Sequence, residues 1–190
     1  MKKENIRCKY IKKYRYKHID DTDDLLKMDF STKEKNEVWL TDITELKVKT
    51  KKLYLCPIMD LGGRKIISWK LQNNQKKEII TDQLQISFDK RKPKKGLIFH
   101  SDKGSQFTSK KMREILENNS HRQSISKGGC YGNAVMEGFF SILKKEIGSN
   151  FKSEEDCHMK VALWIDGYYN NKRKHGSLGY KTPNEADSAA

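Results

Sequence analysis

Three carboxylates in this sequence stand in settings where an acid is costly to keep. Asp42 lies inside the apolar stretch Val38-Trp39-Leu40-Thr41-Asp42-Ile43, and Asp102 ends a second one, Leu97-Ile98-Phe99-His100-Ser101-Asp102. Glu137 follows the segment Asn133-Ala134-Val135-Met136. An acid on a buried strand loses hydration, so it keeps a partner or a metal. Hard cations such as Mg²⁺ and Mn²⁺ prefer oxygen, and Mg²⁺ takes one or two protein carboxylates with water and substrate phosphate completing its shell. Three acids from three elements can hold two such ions about 3.5–4 Å apart, one activating an attacking oxygen and the other stabilising the leaving oxygen of an in-line phosphoryl transfer. Asp42, Asp102 and Glu137 are therefore the candidate metal ligands and the candidate catalytic residues.

Their neighbours extend the site. At about 100° per residue, a helix through Glu137 puts Asn133, Ser141 and Lys144 within roughly 40° of the carboxylate, with Val135, Phe139, Ile142 and Leu143 opposite. One face packs, and the other presents an acid, an amide, a hydroxyl and a lysine. Lys144 is then placed to meet a phosphate beside the acids. His100, two positions before Asp102, points to the same strand face. It is a hydrogen-bonding partner behind the acids, a substrate contact or a structural histidine. Gln106 can position a polyanion near the acids or serve loop packing.

The elements that must carry these residues follow from hydrophobic period and turn chemistry. Val38 to Leu46, Leu53 to Met59 and Lys65 to Leu71 have strand composition, with Asp60 and Gly62-Gly63 as the turn between the last two. Pro57 has no N–H for a ladder, so its position is an edge, a bulge or a site facing away. Gln75 to Phe88 reads as a helix with Ile80, Leu84 and Phe88 on one face. Leu97-Ile98-Phe99 has the character of a buried parallel strand. Strand, helix and strand imply a crossover, leaving Asp102 at the C-terminal end of its strand, where sites in open α/β sheets lie. Thr108 or Ser109 caps a helix through Met112, Ile115 and Leu116, and Ser124 to Ser126 adds a short strand. A helix from about Tyr131 to Ile147 brings in Glu137. A last one starts after Ser153, with Asp156 completing a capping box, and buries Val161, Trp164, Ile165 and Tyr168. The fold class is α/β, a central mixed sheet with flanking helices.

A chain of 190 residues suits one substantial domain with a small appendage. Lys plus Arg number 39 against 25 Asp plus Glu, a net charge of +14, which favours a polyanionic partner through counterion release or reflects a generally lysine-rich composition. Lys9 to Lys17 interleaves basic residues with tyrosines, as an arm that grips phosphates and stacks on bases does, or as a solvated disordered arm does. Cys8, Cys56, Cys130 and Cys157 are widely spaced with no Cys-x-x-Cys pair, which signals reduced thiols rather than a zinc ribbon or disulfide framework. The lysine-rich start is not followed by an apolar run, and nothing approaches the roughly 18 apolar residues of a membrane span. A cytoplasmic protein without membrane contact is expected.

His100-Ser101-Asp102-Lys103-Gly104-Ser105-Gln106-Phe107-Thr108-Ser109, then Asn133-Ala134-Val135-Met136-Glu137-Gly138-Phe139-Phe140-Ser141-Ile142-Leu143-Lys144-Lys145-Glu146, resembles the retroviral-integrase-type catalytic core of bacterial insertion-sequence transposases, specifically the second-frame protein of the IS3 group. Trp39 to Thr44 resembles its first-aspartate motif and Tyr169 to Pro183 its C-terminal signature. The resemblance runs from about Asp29 to about Ala186. There are departures: 34 residues, 103 to 136, separate Asp102 from Glu137, one fewer than usual, with the gap near Lys127-Gly128. Gly132 stands where an aspartate is common, and Gly138 where a serine is.

The resemblance implies an RNase H-like fold and a DDE transposase that cuts and joins DNA with two Mg²⁺ or Mn²⁺ ions on Asp42, Asp102 and Glu137. Lys144, Gln106 and Asn133 would contact DNA. Arg173 and His175 would do so too, or would pack the tail onto the core. The implied partners are double-stranded DNA at the element ends and target, further copies of the chain, and an upstream-frame DNA-recognition protein. Residues 1–33 would form a basic arm and linker, 34–186 the core with a C-terminal helical extension, and 187–190 a tail. The helical DNA-recognition region that precedes the linker in the family is not in this sequence, which suggests an N-terminally truncated reading frame. Two other readings stay open: an inactive remnant that binds DNA or oligomerises with an intact transposase, and an RNase H-like structure-specific nuclease.

Overall fold

Apolar runs and one misplaced proline shape the sheet. The computed structural model describes residues 24–31, 34–76, 78–127 and 132–189. The basic arm up to Lys17, Cys8, Cys130 and the glycine turn at Gly128-Gly129 with its shortened spacing lie outside the described residues. The elements in chain order are β1 (Val38–Thr41), β2 (Thr44–Val48), β3 (Lys51–Asp60), β4 (Lys65–Gln72), α1 (Glu78–Arg91), β5 (Ile98–Ser101), α2 (Lys110–Asn118), β6 (Arg122–Ile125), α3 (Ala134–Ile147), β7 (Asn150–Phe151) and α4 (Glu154–Ala162). A π-helical segment, Leu163–Tyr169, continues α4, and a short helix α5 (Pro183–Ser188) closes the chain.

The sheet runs β6-β5-β1-β3-β2-β7, with β4 on the other edge of β3. Strands β1, β2 and β4 are antiparallel to β3, while β5, β6 and β7 pair in parallel, giving the expected mixed sheet. The single strand expected from Val38 to Leu46 is instead two. Its register on β3 continues across the gap, Thr41 facing Ile58 and Thr44 facing Leu55, so Asp42 faces Pro57. Pro57 offers no N–H, and the ladder lapses there. Thr41 Oγ1 still donates to the Pro57 carbonyl at 2.9 Å.

Side chains alternate across the sheet, so neighbours in β1 serve opposite cores. Leu40 joins Leu46, Leu55, Met136, Phe139, Leu143, Val161 and Tyr169 under α3 and α4. Trp39 joins Ile58, Ile80, Leu84, Phe99, Met112 and Leu116 under α1 and α2. Ser109 caps α2, accepting from the Met112 N–H at 3.3 Å, and Ser153 caps α4 through Asp156 N–H at 3.1 Å. In the last helix Val161, Trp164 and Ile165 are buried as expected, but Tyr168 is exposed and Tyr169 takes the core place. The wider π turn slips the helix phase by about one residue.

Asp60, read from sequence as a turn residue, is fully buried and paired with Arg91 at 2.6 Å. Arg91 also grips Asp187, which Lys65 reaches at 2.8 Å. The tail expected from residue 187 therefore starts inside α5, whose Thr182–Glu185 capping box and Pro183 fix its beginning. Burial works against the Asp187 charge, but Arg91 and Lys65 outweigh it and hold the carboxyl down at about 2. Burial pushes Asp60 upward despite the Asn36 N–H and Arg91. Among the described residues no helix is long and apolar enough to cross a membrane.

Arg91→Met should leave the buried Asp60 without its cation, Asp187 keeping Lys65, and destabilise the fold by about 3–5 kcal/mol in urea denaturation at neutral pH. The stability tied to Asp187 is complete above pH about 4 and is lost as pH falls through about 2, so Asp187→Asn should flatten that acid limb.

Candidate active site

The lapse between β1 and β2 puts Asp42 at the C-terminal end of β1, its Oδ1 accepting the Ile43 N–H at 2.7 Å. Strand β5 runs parallel to β1 with His100 level with Leu40, and the same register carried two residues on brings Asp102 level with Asp42. Glu137 stands in the first turn of α3. Asn133, just before that helix, gives it no side-chain cap. Its Nδ2 donates instead to the Thr41 carbonyl at 2.9 Å, docking the start of α3 beside Asp42.

The charges register this convergence. Burial pushes the Asp42 carboxyl up to about 7 against the pull of the Ile43 N–H, and the negative charges of Asp102 and Glu137 push it further the same way. Asp102 and Glu137 themselves are exposed. Among the described residues, however, no three His, Cys, Asp or Glu side chains are drawn close enough to hold a metal ion. The three acid-bearing elements meet, with their carboxyls short of ligating distance. The donor set is wholly oxygen, the kind that suits Mg²⁺ or Mn²⁺, and a cation there would relieve the repulsion that Asp42 feels.

Two close approaches hold the frame. His100 is buried, its Nε2 donating to the Gly132 carbonyl and its Nδ1 accepting from Ser124 Oγ, both at 2.9 Å, so it ties β5 to β6 and to the residue before Asn133. It stands as a buried, hydrogen-bonded residue behind the acids. Burial lowers its pKa, which favours the neutral ring those bonds require. Gly104 folds onto Asp102, its N–H donating to Oδ1 at 3.0 Å. A Cβ at Gly104 would lie 2.9 Å from both Asp102 Oδ1 and Gln106 Oε1.

Several expected DNA contacts have other partners. Asn133 is buried and makes the hydrogen bond to the Thr41 carbonyl just described. Arg173 pairs with Glu146 on α3, and His175 packs edge-on against Tyr169 with ring centroids 5.0 Å apart, so both fasten the C-terminal segment to the core. Gln106 donates to Gln75 at 2.9 Å on the exposed side of the Asp102 loop. Lys144 is half-buried, two turns beyond Glu137 on α3. Thr41 and Gly132 hold the site through backbone carbonyls, which no side-chain pattern announces.

A mixed sheet that delivers two aspartates from neighbouring strand ends and a glutamate from a flanking helix defines an RNase H-like catalytic core of the integrase type. Two models described as "Integrase core domain" match residues 32–129 and 119–183. The transposase for insertion sequence element IS904 of Lactococcus lactis subsp. lactis (strain IL1403) is 33% identical over 182 residues, spanning 91% of this chain and 72% of that protein. The putative transposase InsK for IS150 of Escherichia coli (strain K12) is 34% identical, covering 96% and 65%, and InsF for IS3A of the same strain is 32% identical, covering 99% and 68%. Among solved structures, a simian T-cell lymphotropic virus intasome in complex with PP2A regulatory subunit B56 gamma gives a TM-score of 0.66 at 14% identity, over 82% of this chain and 55% of that one. The HTLV-2 integrase catalytic core domain in complex with magnesium gives 0.59 at 22% identity, over 80% and 97%. The chain belongs to the IS3 family of insertion-sequence transposases and carries their integrase-type DDE core.

Because Asp42 titrates higher in the fold than in the unfolded chain, its contribution to stability should be fully present below pH about 4 and fall as pH rises through about 7, by at most about 4 kcal/mol. Asp42→Asn should lose that dependence and exceed the parent chain in stability at pH 8, as read by urea denaturation across pH.

Proposed function

We propose that this chain catalyses metal-dependent cleavage of DNA at the ends of an insertion sequence and transfer of the freed strand into a target. The observation that carries the reading is the convergence of Asp42, Asp102 and Glu137, two of them level on neighbouring parallel strands and the third on a helix docked by Asn133. Asp42, Asp102 and Glu137 would hold two Mg²⁺ or Mn²⁺ ions, and magnesium accompanies the HTLV-2 core in its solved structure. When bound, the ions supply Lewis-acid activation of the attacking oxygen and charge stabilisation at the leaving one.

The chain's own residues orient the substrate. Lys144 and Gln106 flank the acids and would bind phosphates of the duplex, while the net charge of +14 draws DNA to the surface. Water attacks a phosphodiester at the element end and releases a 3′-hydroxyl, which then attacks a phosphodiester of the target. Neither step needs a covalent protein intermediate, so no Ser or Tyr nucleophile is required. The working unit in this reading is 34–186, preceded by a DNA-contacting arm at 1–33, acting in the cytoplasm on double-stranded DNA with further copies of itself and an upstream-frame recognition protein.

Incubating the purified chain with labelled DNA carrying the element ends in Mg²⁺ or Mn²⁺ should give nicked and joined strands, both lost in Glu137→Gln. The same ions should raise the melting temperature of the parent chain and raise it far less in Asp42→Asn or Glu137→Gln. Hydrolysis without joining would favour a nuclease, and DNA binding that weakens steeply with salt without any cleavage would favour an inactive binding remnant.

A further inference from the structure

The loop between the π-helical segment and α5 ends in a turn with an aromatic residue at its tip. Tyr180 is 75% exposed, the most exposed large hydrophobic side chain among the described residues. Its φ is 61°, and of the described non-glycine residues with positive φ it alone is aromatic. The turn is Leu178-Gly179-Tyr180-Lys181, closed by the Lys181 N–H on the Leu178 carbonyl at 3.3 Å, and Gly179 is left-handed as well. Two successive left-handed residues make a type I′ turn, whose central places go to Gly, Asn or Asp. A tyrosine there costs stability, and an exposed ring returns little packing to offset it.

The surroundings enforce this conformation. The His175 carbonyl accepts the Leu178 N–H at 3.0 Å and the Tyr180 N–H at 2.9 Å, and the His175 N–H donates to the Lys181 carbonyl at 3.1 Å. Below the loop the His175 ring lies edge-on to the buried Tyr169, and beyond it the Thr182 capping box and the Arg91–Asp187 pair hold α5. The ring therefore stands on a fixed stem before any partner arrives.

The charges around it select that partner. Lys174 and Lys181 are exposed beside the turn, and Arg64 and Lys181 line one cleft of about 720 Å³. The acids on this side are Glu185, which lies near Lys174 and Lys181 and accepts the Thr182 N–H at 2.7 Å, and Glu34 on the cleft wall with Lys35. Lys35 pairs with Asp187 and Arg173 with Glu146. An exposed ring among lysines suits an unpaired base, which offers a π face to the ring and flanking phosphates to the cations. Within an intact duplex each base face is already stacked.

We propose that Tyr180 stacks on an unpaired nucleobase of DNA, with Lys174 and Lys181 holding the neighbouring phosphates. The inference rests on the reading that this chain acts on DNA, and it adds a contact away from the acids. The C-terminal segment meets α3 at Glu146, about 14 Å along that helix from Glu137.

Fluorescence anisotropy of a labelled single strand, without divalent ions, should show binding that Tyr180→Ala and Tyr180→Gly each weaken about fivefold or more. Tyr180→Phe and Tyr180→Trp should stay within about twofold of the parent chain. The same strand paired with its complement should bind the parent and Tyr180→Ala alike. The salt dependence of single-strand binding should be unchanged in Tyr180→Ala and shallower in Lys181→Ala. Tyr180→Gly should melt no lower than the parent, because it relieves the left-handed strain, so its lost binding is not lost folding. A strand carrying 5-bromouracil should cross-link on irradiation to the peptide that contains Tyr180. Single-strand affinity unchanged in Tyr180→Ala and Tyr180→Gly, an equal loss on the duplex, or a Tyr180→Gly chain that melts well below the parent would overturn this inference and leave the reading of the acids standing. A parent chain that binds neither form of DNA would overturn both.

Discussion

Like charges repel, and this fold is arranged to hold three of them together. Asp42 bears the heaviest load, because its carboxyl is both drawn out of water and set near Asp102 and Glu137. At the acids themselves only the Ile43 N–H on Asp42 and the Gly104 N–H on Asp102 offset the repulsion. The force that keeps them together must come from behind, from the two cores and from a few hydrogen bonds placed one or two residues away. The Asn133 amide on the Thr41 carbonyl ties the glutamate's helix to the first aspartate's strand, and the buried His100 ties the second aspartate's strand to the same helix start through Gly132. A site under strain that is braced by its surroundings is what local instability at a functional centre requires.

Helix α3 is held from its far end as well. Glu146 accepts from Trp164 Nε1 at 2.7 Å and pairs with Arg173, while Phe139 packs against Trp164 and Tyr169 with ring centroids 5.5 and 5.0 Å apart. Asn170 then anchors this layer to the sheet, its side chain exchanging two hydrogen bonds of 3.0 Å with the backbone of Ile66 in β4. The C-terminal signature thus works as scaffold for the glutamate's helix. The Asp60–Arg91–Asp187 network does the same for the chain end, joining the end of β3, the end of α1 and α5 through charges that are nearly dry. Such a network contributes through what its rupture would cost, since removing one partner leaves buried charge unpaired.

The strands and helices were legible because burial imposes a period on residue type. Fully apolar Leu97-Ile98-Phe99 gave β5 and its parallel pairing, and the spacing of Ile80, Leu84 and Phe88 gave α1. Where the reading failed, a non-local partner had overridden a local signal. Pro57 was recognised as a poor ladder member, but its effect fell on the neighbouring strand, at Asp42, where no local pattern records it. Tyr168 and Tyr169 exchanged roles because the helix widens into a π turn, and a 3.6-residue period cannot foresee that slip. Asp60 read as a turn residue because its partner Arg91 lies 31 positions away.

The sequence alone determined which side chains could do chemistry. Acids inside apolar runs have few other reasons to exist, and their order with Gly104, Gln106, Asn133 and Lys144 marks one family of cores. Only the tertiary structure decided what each neighbour does. A helix-start asparagine has the same local credentials for capping, for touching DNA or for bracing a strand, and the Thr41 carbonyl that it meets is 92 residues distant in sequence. The same holds for Arg173 and His175, which the fold sets against Glu146 and Tyr169. Residue type fixes a side chain's chemical capacity, but its use depends on which partner the folded chain brings within reach.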